Sequence, residues 1–104
     1  MKLPPLDPAA KIELFEATSY YLAINPELAS DFVDRVESAL IRISTHPLRF
    51  ARLETVKTDR DIRRVLLGRF PYLVVYEVLN GEPCVLAIAH AHRLPDYWLE
   101  RKGG

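Results

Sequence analysis

Two neighbouring apolar runs place the strongest constraint on the fold. Residues 72–79 (YLVVYEVL) and 84–92 (CVLAIAHAH) are rich in β-branched and aromatic side chains, with Asn80-Gly81 between them. Asn-Gly between two such runs is a tight hairpin signal, because both turn residues then take positive φ at little cost. Both runs are apolar on both faces of a two-residue repeat, so both are expected to lie centrally in a covered sheet. Residues 62–67 (IRRVLL) supply a further strand, with Gly68-Arg69 as its turn, and 52–57 (RLETVK) a weaker candidate.

Before residue 47 the period is helical. Asp7-Pro8 reads as an N-cap followed by proline in the first turn. Ala10, Leu14, Ala17, Tyr21 and Ile24 then recur at three- and four-residue steps and share one face. Lys11, Glu13 and Glu16 point elsewhere. Phe15 and Leu22 lie seven apart on a second, flanking face, which is either a widened core face or a surface for a partner. Asn25-Pro26 repeats the start signal. Leu28, Phe32, Val36, Ala39 and Ile43 mark the core face of the second helix, widened by Val33 and Leu40, and His46-Pro47 ends it. Two helices so closely linked are expected to form an antiparallel hairpin. Residues 2–6 (KLPPL) form an extended lead-in, and Pro4 and Pro5 restrict any strand there to a sheet edge. The tail from Pro95 to Gly104 holds one helical turn at most. The expected architecture is α+β: a helical hairpin packed on an antiparallel sheet of three or four strands, one domain over 1–104.

The 104 residues suit a single folded domain, and 49% of them are hydrophobic. Fourteen Lys and Arg balance fourteen Asp and Glu, which lowers the odds of nucleic-acid binding through phosphate neutralisation. Cys84 is the one cysteine, so an internal disulfide is excluded. No signal-peptide core and no membrane-length apolar run is present, so the protein is expected to be cytoplasmic, without membrane association.

Motifs for metal, nucleotide or nucleophilic chemistry are missing. His90 and His92 share a strand face but lack a third ligand, and neither a metal nor a cofactor is expected. Cys84 reads as a small apolar strand residue. The basic residues are more suggestive. Arg63, Arg64 and Arg69 lie on one hairpin, and His92, Arg93, Tyr97 and Trp98 lie at or beyond the end of the last strand. If these ends converge, they hold a phosphate and stack a base. Otherwise they make a solvated sheet edge with Trp98 packed into the core.

The blocks EATSYY (16–21), PELASDFVDRVESALIRISTHP (26–47), IRRVLLGRFPYLVVYEV (62–78), VLAIAHAHR (85–93) and YW (97–98) resemble the RelE/ParE superfamily of type II toxins, in order and over almost the whole chain. The resemblance implies two N-terminal helices against an antiparallel sheet. It also implies a cognate antitoxin that lays a helix or extended segment in a groove, where Phe15 and Leu22 are candidate contacts. RelE-like members cleave mRNA on the ribosome, while ParE-like members, the plasmid-stabilisation type, poison DNA gyrase. RNA cleavage needs a base, an acid and a cation for the crowded phosphorane. In the RelE-type set an arginine follows the strand tyrosine, yet Leu73 follows Tyr72 here. Arg93 and Tyr97 match the late pair of that set, and Lys57 stands weakly for one of its lysines. Arg64, His92, Arg93 and Tyr97 are therefore the catalytic candidates if the protein is a nuclease. Leu73, the balanced charge and the long helical hairpin favour the ParE-like side, in which the protein carries out no bond chemistry of its own. A non-toxic binding module of the same fold is the third reading.

Overall fold

The computed structural model describes residues 2–53, 58–92 and 97–101. Helix α1 spans Pro8–Ile24 and α2 spans Pro26–Thr45. The Asp7 carboxylate accepts from the Ala9 N–H at 2.9 Å, as expected of an N-cap. Asn25 serves both helices. Its backbone N–H donates to the Tyr21 carbonyl at 2.9 Å and closes α1, while its side-chain oxygen accepts from the Glu27 N–H at 2.7 Å and opens α2. The chain therefore reverses within one residue. The Ser44 hydroxyl donates to the Lys2 carbonyl at 2.6 Å, which ties the end of α2 to the chain just ahead of α1.

Three strands follow: β1 (Asp61–Leu66), β2 (Tyr72–Leu79) and β3 (Glu82–His90), paired antiparallel in the order β1-β2-β3. Asn80 and Gly81 both have positive φ, 54° and 80°, as the hairpin signal requires. Gly68, at φ 68°, turns β1 towards β2. Leu67 lies just outside β1, and Ala91 and His92 form a turn after β3.

Two expectations need correction. β3 is the last strand in the order, not a central one. Its outer edge is partly closed by the lead-in segment, where Leu6 bridges Val85 in parallel: the Asp7 N–H donates to the Val85 carbonyl and the Val85 N–H to the Pro5 carbonyl, each at 2.8 Å. The weak strand at 52–57 is reduced to one bridge, Arg52 to Arg63, on the outer edge of β1; residues 54–57 lie outside the described ones.

The sheet is covered on both faces. On one side Ala17, Tyr21, Phe32, Val36 and Ile43 of the helices pack on Val65, Val74, Tyr76, Val85 and Ile88. On the other, Trp98 packs on Ile62, Val75, Leu86, Ala87 and Ala89. Both faces of β2 and β3 are apolar for this reason, without β3 being central. Ile24 and Val33, expected in the core, are instead 59% and 41% exposed, because each lies beyond the margin of its helix's buried stripe. Among the described residues no helix is long and apolar enough to cross a membrane.

Candidate functional site

Strand register fixes where the candidate catalytic residues stand. Arg64 pairs opposite Val75 and Val75 opposite Ala87, so Arg64 is level with the middle of β3, two strands away. It shares the back face of the sheet with Ile62, two residues earlier on β1. His92 is five residues beyond Ala87. At about 4.8 Å between strands and 3.3 Å per residue, roughly 14 Å separates the Arg64 backbone from that of His90, where β3 ends. Arg64 thus stands on β1, two strands from the β3 end that leads to His92. Arg93 lies outside the described residues, as does Lys57.

Tyr97 belongs to a different cluster. Its hydroxyl donates to Glu13 Oε2 at 2.5 Å, and the Arg101 guanidinium lies 5.0 Å from its ring centroid. Arg101 also binds the Glu13 carboxylate, at 2.8 Å, and donates to the Leu86 carbonyl at 3.0 Å. The same carboxylate accepts from the Ile88 N–H at 3.1 Å. The cluster therefore caps outward-facing backbone groups of β3, where a fourth strand would otherwise pair. The Arg101 guanidinium holds its proton more firmly than usual: burial is the largest single influence and works against the charge, but the hydrogen bond to Glu13 and the nearby charges of Glu13, Tyr97 and Asp7 together outweigh it. Glu13 was expected to point away from the core, yet it lies three residues after Ala10 and four before Ala17, both buried. That spacing places it on the core flank, a signal that was available.

A second buried pair anchors the tail. Arg60 makes a bidentate ion pair with Glu77, at 2.8 and 2.9 Å, and donates to the carbonyls of Leu99 and Arg101. The Glu77 hydrogen bonds raise the Arg60 pKa further above its ordinary value. Neither residue was singled out from sequence, although a lone carboxylate in YLVVYEVL asks for a cationic partner. Trp98 is 1% exposed, so of its two readings the core one holds, and it offers no face to a base. Leu73 is half-buried against the same cluster.

The other basic and histidine candidates divide similarly. Arg63 pairs with Asp61 at 2.9 Å and donates to the carbonyls of Leu48 and Phe50, while Arg69 pairs with Asp31 at 2.7 Å. The His92 N–H donates to His90 Nδ1 at 3.1 Å, the two rings stand 5.2 Å apart, and His90 meets Tyr72 edge-on. Among the described residues no three His, Cys, Asp or Glu side chains group as metal ligands. Cys84 is half-buried, with its sulfur 3.4 Å from the Pro5 carbonyl. Burial pushes its thiol pKa up, which disfavours the nucleophilic thiolate.

Phe15 and Leu22 are 72% and 55% exposed, and Ile12 beside them is 60% exposed. Turning 100° per residue puts Ile12 and Phe15 on the side away from Ala10, Ala17 and Tyr21 and Leu22 on the adjoining flank, so α1 is apolar on a second, outer side as well. The widened-core reading of Phe15 and Leu22 is therefore overturned.

A family model described as the ParE toxin of a type II toxin-antitoxin system, parDE, matches residues 6–95. The curated proteins give no match.

Proposed function

Since the chain belongs to the ParE toxin family of type II toxin–antitoxin systems, we propose that it poisons DNA gyrase in the cytoplasm and is neutralised by an antitoxin seated on the outer face of α1. The capture of the Tyr97 hydroxyl by Glu13 carries the gyrase reading. Acid–base cleavage of RNA needs its proton donor, acceptor and cation within hydrogen-bond reach of one phosphate. Here the Tyr97 hydroxyl is bound to Glu13, Leu73 stands where the RelE-type arginine would be, and Arg64 is two strands away from β3. Poisoning by binding needs no acid–base set, and none is assembled among the described residues. The protein stabilises the DNA-cleaved state of gyrase by having higher affinity for that state than for the resting enzyme.

For the antitoxin, Ile12, Phe15 and Leu22 follow one another at steps of three and seven, the steps of a helical face that docks on an apolar partner. Burying two large side chains at about 1.5–3 kcal/mol each is worth well over a hundredfold in affinity. Replacing Phe15 and Leu22 together by serine should weaken the toxin–antitoxin complex by at least that factor, measured by titration calorimetry. An unchanged affinity moves the antitoxin seat elsewhere.

The gyrase reading is tested by supercoiling with purified gyrase. The toxin should block it and trap cleaved DNA, and added antitoxin should restore it; unimpeded supercoiling sinks the reading. Message cleavage on translating ribosomes, lost in Arg93→Ala, would instead support a nuclease built from Arg64, His92, Arg93 and Tyr97. Undiminished growth on induction without antitoxin would mark the non-toxic module.

A further inference from the structure

The formal neutrality of the chain conceals a segregation of charge. Arg35, Arg42, Arg49, Arg52, Arg63 and Arg69 lie on α2, the 48–52 segment, β1 and the β1–β2 turn, with Asp31, Asp34 and Asp61 as the acidic groups beside them. We infer that the face formed by α2, the 48–52 segment and the β1–β2 turn binds the phosphate backbone of a nucleic acid.

Arg35 and Arg42 carry the inference. They lie seven residues apart on one flank of α2, about 10 Å along its axis. Both line a groove of about 470 Å³ whose far wall is Leu66, Leu67 and Gly68. Ser38, between them, also lines it and adds a hydroxyl. Arg35 lies over Gly68, where an added Cβ would come within 3.1 Å of its guanidinium. Both arginines are exposed, and neither has a carboxylate partner among the described residues; Arg42 spends one N–H on the Ser38 carbonyl at 3.4 Å and sits 5.9 Å from the Phe50 ring centroid. Arg49 is exposed beyond the end of the helix and also has no ion pair among the described residues. Acidic groups nearby are few. Asp34 lines the groove, Asp31 is held by Arg69, and Asp61 is shared by Arg52 and Arg63. Glu37 lies more than a third of a turn from both arginines around α2 and belongs to the opposite flank.

Three guanidiniums without a carboxylate partner among the described residues, supplied wholly by arginine, favour phosphate, which they bind in bidentate fashion at fixed geometry. This does not rest on the gyrase reading, because the assay contains no gyrase. The full chain is titrated into fluorescein-labelled DNA duplex, RNA duplex and single strands, read by anisotropy. With three phosphates neutralised, affinity for the preferred nucleic acid should fall roughly 40-fold as salt rises from about 50 to 200 mM. Arg35→Gln with Arg42→Gln should weaken binding at least tenfold at low salt and flatten the salt response to about 4-fold, as expected for one remaining contact. Lys11→Gln, outside the face, should leave both unchanged. Thermal melting of the double variant checks that it folds. A preference for DNA duplex joins the face to the gyrase reading, while a preference for RNA supports the face and counts against gyrase. No binding, a salt-independent affinity, equal loss in Lys11→Gln, or equally tight binding of poly-glutamate each overturns the inference. So does sedimentation showing that the basic face is covered by a second copy of the chain.

Discussion

On the helix side of the sheet, seventeen described residues from both helices and all three strands form one buried cluster; on the other side there are six, and Trp98 is the only one of the six that does not come from a strand. The larger core is redundant. Removing one side chain there leaves many neighbours that still hold two helices in place. The smaller core depends on one indole delivered by the Tyr97–Arg101 segment, which lies beyond the 6–95 family match. A two-sided sheet can thus be sealed by a helical hairpin on one face and, on the other, by one buried indole with Leu53, Tyr97 and Leu99 half-buried around it. The condition is that the backbone carrying that side chain is itself tied down, here through Arg60 and Glu13.

The largest expected effect tests that dependence directly. Trp98→Ala should cost about 3–5 kcal/mol by urea denaturation, the range for deleting a buried aromatic. A cost below about 1 kcal/mol would mean that the back face tolerates exposure and that the tail is a detachable flap.

Next comes the anchor. Arg60→Ala leaves the Glu77 carboxylate nearly buried without its partner, and should cost about 3 kcal/mol. Adding Glu77→Leu should recover much of that loss, since an apolar pair replaces a broken ionic one. A double variant no more stable than Arg60→Ala would show that the tail carbonyls, not the stranded carboxylate, account for the cost.

On the helix side, one polar contact gives a smaller and pH-dependent effect. Tyr76 is fully buried, and its hydroxyl donates to the Pro47 carbonyl at 2.6 Å. Burial, the main cause, pushes its pKa up to about 12 from 10.0. The folded state therefore holds this proton more tightly than the unfolded chain does. The stability it contributes is intact below pH 10 and drains away between pH 10 and 12, at no more than about 1.4 kcal/mol per pH unit. Burial raises the Tyr21 pKa as well, which adds to the same alkaline loss. Tyr76→Phe should cost about 1 kcal/mol at neutral pH and show a shallower alkaline limb. Identical alkaline slopes in the two proteins would remove Tyr76 from the account.

What could be read from sequence follows from the same comparison. Asn80-Gly81, Asp7-Pro8 and Asn25-Pro26 act on their own neighbours, so the hairpin and both helix starts were legible, as was the helix-side core from its periodicity. The back face was not, because its parts are distant in sequence. Glu13 meets Tyr97 and Arg101 across more than 80 residues, and Arg60 meets Glu77 across 17. Tyr97 and Trp98 looked like a basic-aromatic rim because no local pattern distinguishes an aromatic pair that packs inward from one that waits for a base. Apolarity on both faces of β3 was read as centrality, when it reports covering layers and not strand neighbours.

The smallest expected effect concerns α1, whose two apolar sides repeat the contrast within one helix. Tyr21 faces inward, 9% exposed, with its ring 5.2 Å from Phe32 and 5.0 Å from Phe70. Phe15 faces outward and is 72% exposed. Tyr21→Ser should therefore cost about 3 kcal/mol or more, as large-to-small changes in a packed core do. Phe15→Ser should alter stability by no more than about 0.5 kcal/mol, because serine gives up little helix propensity and no buried contact is lost. The sign is informative too. On the proposed antitoxin seat, Phe15 contributes to binding and not to the isolated fold. If Phe15→Ser instead costs more than about 1.5 kcal/mol in the isolated protein, the strip is already buried at rest, most simply against a second copy of α1. A concentration-dependent midpoint would then identify that copy, and the outer face would no longer be free for an antitoxin.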